Sequence, residues 1–271
     1  MPDYEISVGE VSVISLSDGT NEFPAANVFP SVSSDEWAKY PEAISKEGKL
    51  KTNFGCFILR SGGETILVDT GFGPDLPGRL PEDLVSKGID PTEITIVAIT
   101  HLHADHVGWN ITTVEGNGKL TFPRARYLVA KQDWDHFRKP EVSKQAHYVE
   151  SQVLPLEKHG VLSLMDGETK LTDHITMVPT PGHTPGHMSV AITSQGKRGF
   201  ITGDVINFPF QAQETGWALA FDVDSKAAQR TRETVLEQLE LEGTIVGAGH
   251  FLAPSFGRFL RSGNRRYWQA L

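Results

Sequence analysis

Within Thr100-His101-Leu102-His103-Ala104-Asp105-His106, four side chains able to bind a metal fall within six residues, directly behind an apolar run. Alternating and adjacent positions cannot all share one face of a strand or helix, so the segment reads as a loop wrapping its side chains around a point. A cation at that point is the simplest reason for such density. Without one, a buried His-x-His-x-Asp-His leaves several polar atoms short of partners, each at a cost of about 1–3 kcal/mol. Imidazole and carboxylate donors together suit Zn²⁺, with Mn²⁺, Fe²⁺ or Co²⁺ as substitutes.

One loop fixes a metal poorly, so further ligands are expected where other strand ends meet turns. The segment from Met177 to His187 carries two Pro-Gly pairs, which force turns and place His183 and His187 in a rigid loop. Gly199-Phe200-Ile201-Thr202-Gly203-Asp204 and Thr244-Ile245-Val246-Gly247-Ala248-Gly249-His250 share a second design, a short apolar strand closed by small residues and one polar side chain. Glycine there lets the backbone come close to a site.

The elements that position these side chains are legible from periodicity. Residues 94–100 are β-branched and almost continuously apolar, as in a strand buried on both faces, so the histidines leave a strand's C-terminal end. That rim is where layered α/β folds commonly build sites. Further strands are expected at 6–17, 54–60, 65–69, 126–130, 175–178, 189–193, 199–202 and 244–247. Helices are expected after His103, at 131–137 and at 225–241, the last with Ala228, Thr231, Val235 and Leu239 as its buried stripe. Pattern alone leads to a layered α/β chain.

Taken together and in this order, THLHADH, PGHTPGH, TGD and GAGH resemble the metallo-β-lactamase-fold superfamily of hydrolases, over roughly residues 54–251. Leu67-Val68-Asp69-Thr70-Gly71 looks like that family's early Asp-Thr-Gly turn. The resemblance implies the α+β class, an αββα sandwich of two mixed sheets flanked by helices, with the site along one edge. It implies two metals, two Zn²⁺ as first choice, one held by His101, His103 and His183 and the other by Asp105, His106 and His250, with Asp204 bridging. His187 is then a histidine just outside the ligand set, and Asp69 an acceptor that orients a ligand imidazole.

The set looks most like the branch that contains the N-acyl homoserine lactonases and methyl parathion hydrolase. What this implies is hydrolysis of a lactone or other carboxylic ester by a metal-bridging hydroxide, with Asp204 and Asp105 as catalytic carboxylates and Asp105 returning a proton to the leaving group. The chain departs from the lactonase pattern at Asn207, where a tyrosine often assists the substrate carbonyl, and at Trp109, where a small residue is frequent. Trp109, Asn207, Phe208, Phe210, Trp217 and Phe256 are candidate lining for an aromatic substrate pocket, with Phe208 and Phe210 favoured by their closeness to Asp204. The rival readings are an organophosphate triesterase, a β-lactamase, a thioesterase, a mononuclear-iron persulfide dioxygenase and a non-catalytic sensor or binding protein. β-Lactamases as a group lack the carboxylate bridge, and the intact ligand set argues against a sensor.

The chain has 271 residues and a formal charge of −9, so nucleic acid is a poor partner and a small ester or lactone a suitable one. The basic residues between Arg261 and Arg266 read as a solvated end. With no linker, tract or repeat, residues 1–271 are expected to form a single domain. Residues 21–51 read as irregular, their Phe23, Phe29, Trp37 and Tyr40 serving as core or as a flap or dimer contact. Cys56 is the only cysteine and reads as a small buried hydrophobe. No basic leader opens Met1-Pro2-Asp3-Tyr4-Glu5 and no run of about 18 apolar residues occurs, so a cytoplasmic protein without a membrane partner is expected. A homodimer is compatible with all of this.

Overall fold

Alternation along residues 54–60 turns Cys56 and Ile58 to one face of a strand and Phe57 and Leu59 to the other, and all four are buried. A strand covered on both faces needs a layer on each side. The computed structural model describes residues 4–271 apart from 75, 77, 115 and 254; the leader reading at residues 1–3 lies outside the described residues. Its strands are β1 (Glu5–Val8), β2 (Val11–Pro24), β3 (Lys49–Ser61), β4 (Glu64–Val68), β5 (Ile96–Ala98), β6 (Ile111–Val114), β7 (Asn117–Leu120), β8 (Arg126–Ala130) and β9 (Leu162–Met165). They continue with β10 (Thr169–Lys170), β11 (Ile175–Pro179), β12 (Met188–Ser194), β13 (Lys197–Ile201), β14 (Ile245–Gly247), β15 (Phe256–Ser262) and β16 (Arg265–Ala270).

One sheet has the order β1-β2-β3-β4-β5-β8-β9, the other runs β10 to β16 in sequence, and β6 and β7 form a separate hairpin. Both sheets are mixed. β4, β5, β8 and β9 are mutually parallel, as are β13 and β14, whereas the remaining pairs are antiparallel. Phe57, Leu59, Ile66, Ile96 and Leu128 of the first sheet meet Ile175, Met177, Val190, Ile201 and Phe256 of the second in a closed apolar layer. The first sheet's outer face packs Ile14, Ile58, Val97 and Tyr127 against Leu80 and Leu84 of helix Leu80–Ser86 and Trp134 and Phe137 of helix Lys131–Phe137. Helix Ser225–Glu242 covers the second sheet through Leu236 and Leu239, which meet Val246 and Phe259. The sandwich is therefore αββα, as the resemblance implied.

Several local readings change. The first strand is two, split at Gly9, whose φ of 61° marks a turn. Residues 21–51 are not irregular: β2 and β3 stay paired out to Pro24 and Lys49, with a register shift between Ser17 and Thr20, and carry a cap of two short helices. Phe29, Trp37 and Tyr40 pack there with Phe208, Phe210 and Trp217. The buried stripe of the long helix is Ala228, Arg232, Leu236 and Leu239, because Thr231 donates instead to the Pro181 carbonyl at 2.6 Å. Arg261 and Arg266 lie either side of the β15–β16 turn, and each places its Nε 2.6 Å from Glu240. Cys56 is fully buried, which pushes its thiol well above the ordinary value.

The loop after β4 is tied down by a residue that sequence reading passed over. Asp18 accepts from the backbone N–H of Phe72, Gly73 and Leu80 and from the Trp109 indole at 2.7–3.0 Å. Gly71 is required there, since a Cβ would lie 2.5 Å from the Asp18 carboxylate. Asp18→Ala leaves those donors unpaired and is expected to lower the unfolding free energy by roughly 3 kcal/mol or more. Urea titration measures it, and a loss below about 1 kcal/mol would mean the loop stands without this carboxylate.

Candidate metal centre

Parallel strands end at a common rim, so the loops after β4, β5, β11, β13 and β14 are neighbours although they are far apart in sequence. Each delivers part of one cluster: Asp69, then His101 to His106, then His183, then Asp204, then His250. Helix Ala104–Val107 starts inside the second of these loops and turns Asp105 and His106 inward.

The donor atoms converge in three groups, each drawn together within 4.8 Å: His101 with His103 and His183, His101 with His106 and Asp204, and Asp105 with His106 and His250. His103 Nδ1 lies 3.1 Å from His101 Nε2 and 3.0 Å from His183 Nε2. Asp204 Oδ2 is 3.3 Å from His183 Nε2 and 3.9 Å from His101 Nε2, while Oδ1 is 3.3 Å from His106 Nε2 and 3.2 Å from His250 Nε2. Asp105 approaches His106 and His250 at 3.7 and 3.6 Å. Donors in a tetrahedral shell of Zn²⁺ radius are spaced by about 3.4 Å. Among the described residues, His106 Nε2 and Asp204 Oδ1 are buried without any hydrogen-bond partner. A cation between those atoms removes the deficit, so the residues present fit the metal that the resemblance implies.

The far side is occupied in four of these rings, which fixes which nitrogen faces inward. His106 Nδ1 meets Asp69 Oδ2 at 2.8 Å, His183 Nδ1 meets Asp222 Oδ1 at 2.8 Å, and His250 Nδ1 meets the Asn53 carbonyl at 2.9 Å. His101 Nδ1 lies 3.1 Å from the Thr100 hydroxyl, which itself donates to Asp69 at 2.8 Å. His187 holds its Nδ1 near the Thr180 carbonyl and accepts the Asp204 backbone N–H at its Nε2, 2.8 Å away. It thus positions Asp204 from behind. Gly203 permits this, for a Cβ would sit 2.6 Å from His187 Nε2 and the residue has φ 52°.

Burial opposes charge on every imidazole here. It prevails at His101 and His103, held well below the ordinary imidazole value, and at His187, pushed down to about 3. At His106, His183 and His250 the facing carboxylates overcome burial and carry the rings up to about 9. Asp204 is fully buried, yet His250, His106 and His101 hold its carboxyl well below the usual range. The carboxylates thus demand positive charge, which protons supply when no cation does.

The centre forms the floor of a cavity of about 460 Å³. Phe208 and Asn207 line it, with Phe23, Val28, Phe54, Leu219 and Phe221. The other expected lining residues stand elsewhere. Phe210 and Trp217 are enclosed in the aromatic cluster behind Phe208, because Phe29 and Trp37 cover them. Phe256 lies between the sheets against Phe57. Trp109 faces an adjoining cavity, drawn there by the bond to Asp18. Asn207 donates to Asp204 Oδ2 at 2.7 Å and so braces that carboxylate.

Two carboxylates and a phenol escaped sequence reading. Asp222 precedes the long helix and gave no signal beyond being an ordinary loop acid. Asp133 accepts from Leu102 N–H, the Thr184 hydroxyl and Gly186 N–H, tying the two histidine loops together; burial raises it to about 6 despite those bonds. It sits in a helix turn where acids are commonplace. Tyr148 lines the cavity with its hydroxyl donated to the Leu102 carbonyl at 2.9 Å.

Comparison with known proteins agrees with the fold. The family model of the metallo-beta-lactamase superfamily matches residues 56–250. An N-acyl homoserine lactonase from a Bacillus species is 26% identical over 223 residues, covering 72% of this chain and 80% of the relative. Among solved structures, the hydrolase AbOPH of the beta lactamase superfamily superposes with a TM-score of 0.87 at 24% identity, over 99% of this chain and 97% of the other. The dizinc quorum-quenching lactonase AidC gives 0.85 at 21% identity, over 98% and 96%. This chain belongs to the metallo-beta-lactamase superfamily. It is a metal-dependent hydrolase.

Asp222→Asn keeps the shape but weakens the hold on the His183 ring, and a roughly 10–100-fold loss of zinc affinity is expected. Competition against a chromogenic chelator measures it. Unchanged affinity would mean that Asp222 has no part in orienting His183.

Proposed function

We propose that the chain binds two divalent cations, Zn²⁺ in the first instance, through His101, His103, His183, Asp105, His106 and His250 with Asp204 between them, and hydrolyses a neutral lactone or other carboxylic ester. The observation that carries this reading is the split of Asp204, one oxygen toward His183 and His101 and the other toward His106, at the floor of a largely apolar cavity. Bound there, the cations would lower the pKa of a shared water toward neutrality and polarise the ester carbonyl. The chain's own groups do the rest. Asp204, held from behind by His187 and braced by Asn207, keeps its two oxygens apart. Asp105 is the more exposed of the two acids, with 20% of its side chain accessible, and takes the role of returning a proton to the leaving oxygen.

The wall selects charge as well as shape. Among the described residues lining the cavity there is no lysine or arginine, so an anionic substrate finds no cationic partner outside the metal centre. Phe23, Phe54, Phe208 and Phe221 suit an apolar acyl or alkoxy group. This favours neutral esters and lactones over β-lactams, whose carboxylate would be stripped of water unpaired. The lactonase relatives support the same choice. A neutral phosphotriester meets the same wall and belongs in the test.

Elemental analysis together with a panel of lactones, aryl esters, phosphotriesters, thioesters and β-lactams tests the proposal. Two metals per chain are expected, with neutral esters or lactones turned over about a hundredfold faster than β-lactams. One iron per chain with thiol oxidation would overturn it. Asp204→Asn should cut turnover roughly a thousandfold and lower the metal count; full rate at full metal content would contradict the bridging role. Phe208→Ala removes an edge of the wall and is expected to raise KM for bulky apolar esters about tenfold with metal content intact, the equivalent of two methylene groups returned to water.

A further inference from the structure

We infer that the cavity beside Trp109 is a second substrate subsite, which takes a neutral, hydrogen-bonding end of an ester whose reacting group lies over the metal centre; this rests on the ester-hydrolase reading above. The two cavities share three walls, Phe72, Ala104 and Tyr148. Ala104 stands between His103 and Asp105 and presents only a methyl group at that junction. Tyr148 bounds it with a ring held in place by its bond to the Leu102 carbonyl. The second cavity, of about 500 Å³, is as large as the first.

Its wall differs in chemistry. Trp109 and Ile111 give an apolar side; Thr112, Thr113, Ser151 and Gln152 give a polar one. None of the described residues lining it is charged. The Trp109 indole N–H is engaged by Asp18, so the ring offers packing surface in a fixed orientation. Gln152 is occupied by the Ile111 backbone, accepting from its N–H at 2.9 Å and donating to its carbonyl at 3.3 Å. The Ser151 hydroxyl donates to the Tyr148 carbonyl at 3.2 Å, which leaves its oxygen as an acceptor. Such a wall can match a hydroxyl or amide but cannot neutralise a charge. The class of substrate it fits is an ester whose longer arm is uncharged and ends in a hydroxyl or amide.

Two carboxamide analogues that resist hydrolysis test this by calorimetry on the metal-loaded protein, one with a short alkyl arm and one with a long arm ending in a hydroxyl; the parent esters are assayed alongside. The long-arm analogue is expected to bind at least about tenfold tighter, the effect of roughly two methylene groups leaving water. Ser151→Trp, which fills the second cavity, and Ala104→Phe, which narrows the junction, should bring the ratio of the two Kd values to about one, with metal content and thermal midpoint recorded for each. Should Ala104→Phe lose metal, Ser151→Trp decides. Equal binding of both arms by the unaltered protein, or a ratio that survives Ser151→Trp, overturns the subsite. Long-arm selectivity without hydrolysis of either ester sinks the ester reading and leaves the subsite standing, while ester hydrolysis without selectivity does the reverse.

Discussion

Five imidazoles and two carboxylates whose donor atoms face one another within a few ångströms form the constraint around which this molecule is arranged. Such a cluster is costly when dry, because ring lone pairs and carboxylate oxygens repel or go unpaired. The chain offsets that cost twice over. Acceptors behind the rings, Asp69, Asp222 and the Asn53 carbonyl, hold the inward nitrogens in place. Positive charge, as protons or as cations, then completes the interior.

Holding seven side chains to that tolerance requires a rigid rim, and the double sheet provides it. Strands covered on both faces have no freedom to tilt, and their parallel sets end together. Groups almost two hundred residues apart in sequence are thereby kept within hydrogen-bond reach, as His250 after β14 and the Asn53 carbonyl of β3 are. Asp133 and Asp18 add cross-ties between loops that the sheets alone would leave loosely related. The glycines act in the same sense: at Gly203 and Gly71 the missing Cβ is what lets a second group approach.

The cavity shows a complementary economy of charge. The centre concentrates carboxylates and imidazoles, while the walls above it are aromatic and aliphatic, built partly from the extended β2–β3 ribbon through Phe23 and Phe54. A segment read as irregular is in fact a continuation of the sheet, since Phe23 pairs with Leu50 in register. Its alternation is masked by prolines and polar residues on the exposed face. Strands β9, β10 and β16 were likewise invisible, because edge strands carry too few apolar residues to show a period, and the interior strand β15 also went unread.

The seven side chains that converge, the neighbouring Asp69 and His187 and the burial of Cys56 were legible in the sequence, because metal-competent residues crowd into short loops and buried strands are written in continuous apolar runs; the αββα layering followed from the family resemblance, pattern alone reaching only a layered α/β chain. Asp18, Asp133 and Asp222 were not. An aspartate in a loop or first helical turn carries no mark of what it will accept from, and its partners lie tens of residues away. The aromatic residues were ambiguous for the same reason: Phe208 faces the cavity, Phe210 two positions later faces the cluster behind it, and Trp109 turns to a separate chamber because Asp18 draws its N–H there. Residue type determined which groups could bind a cation or fill a core; only the packing of distant segments decided which side of each ring met substrate space and which met protein.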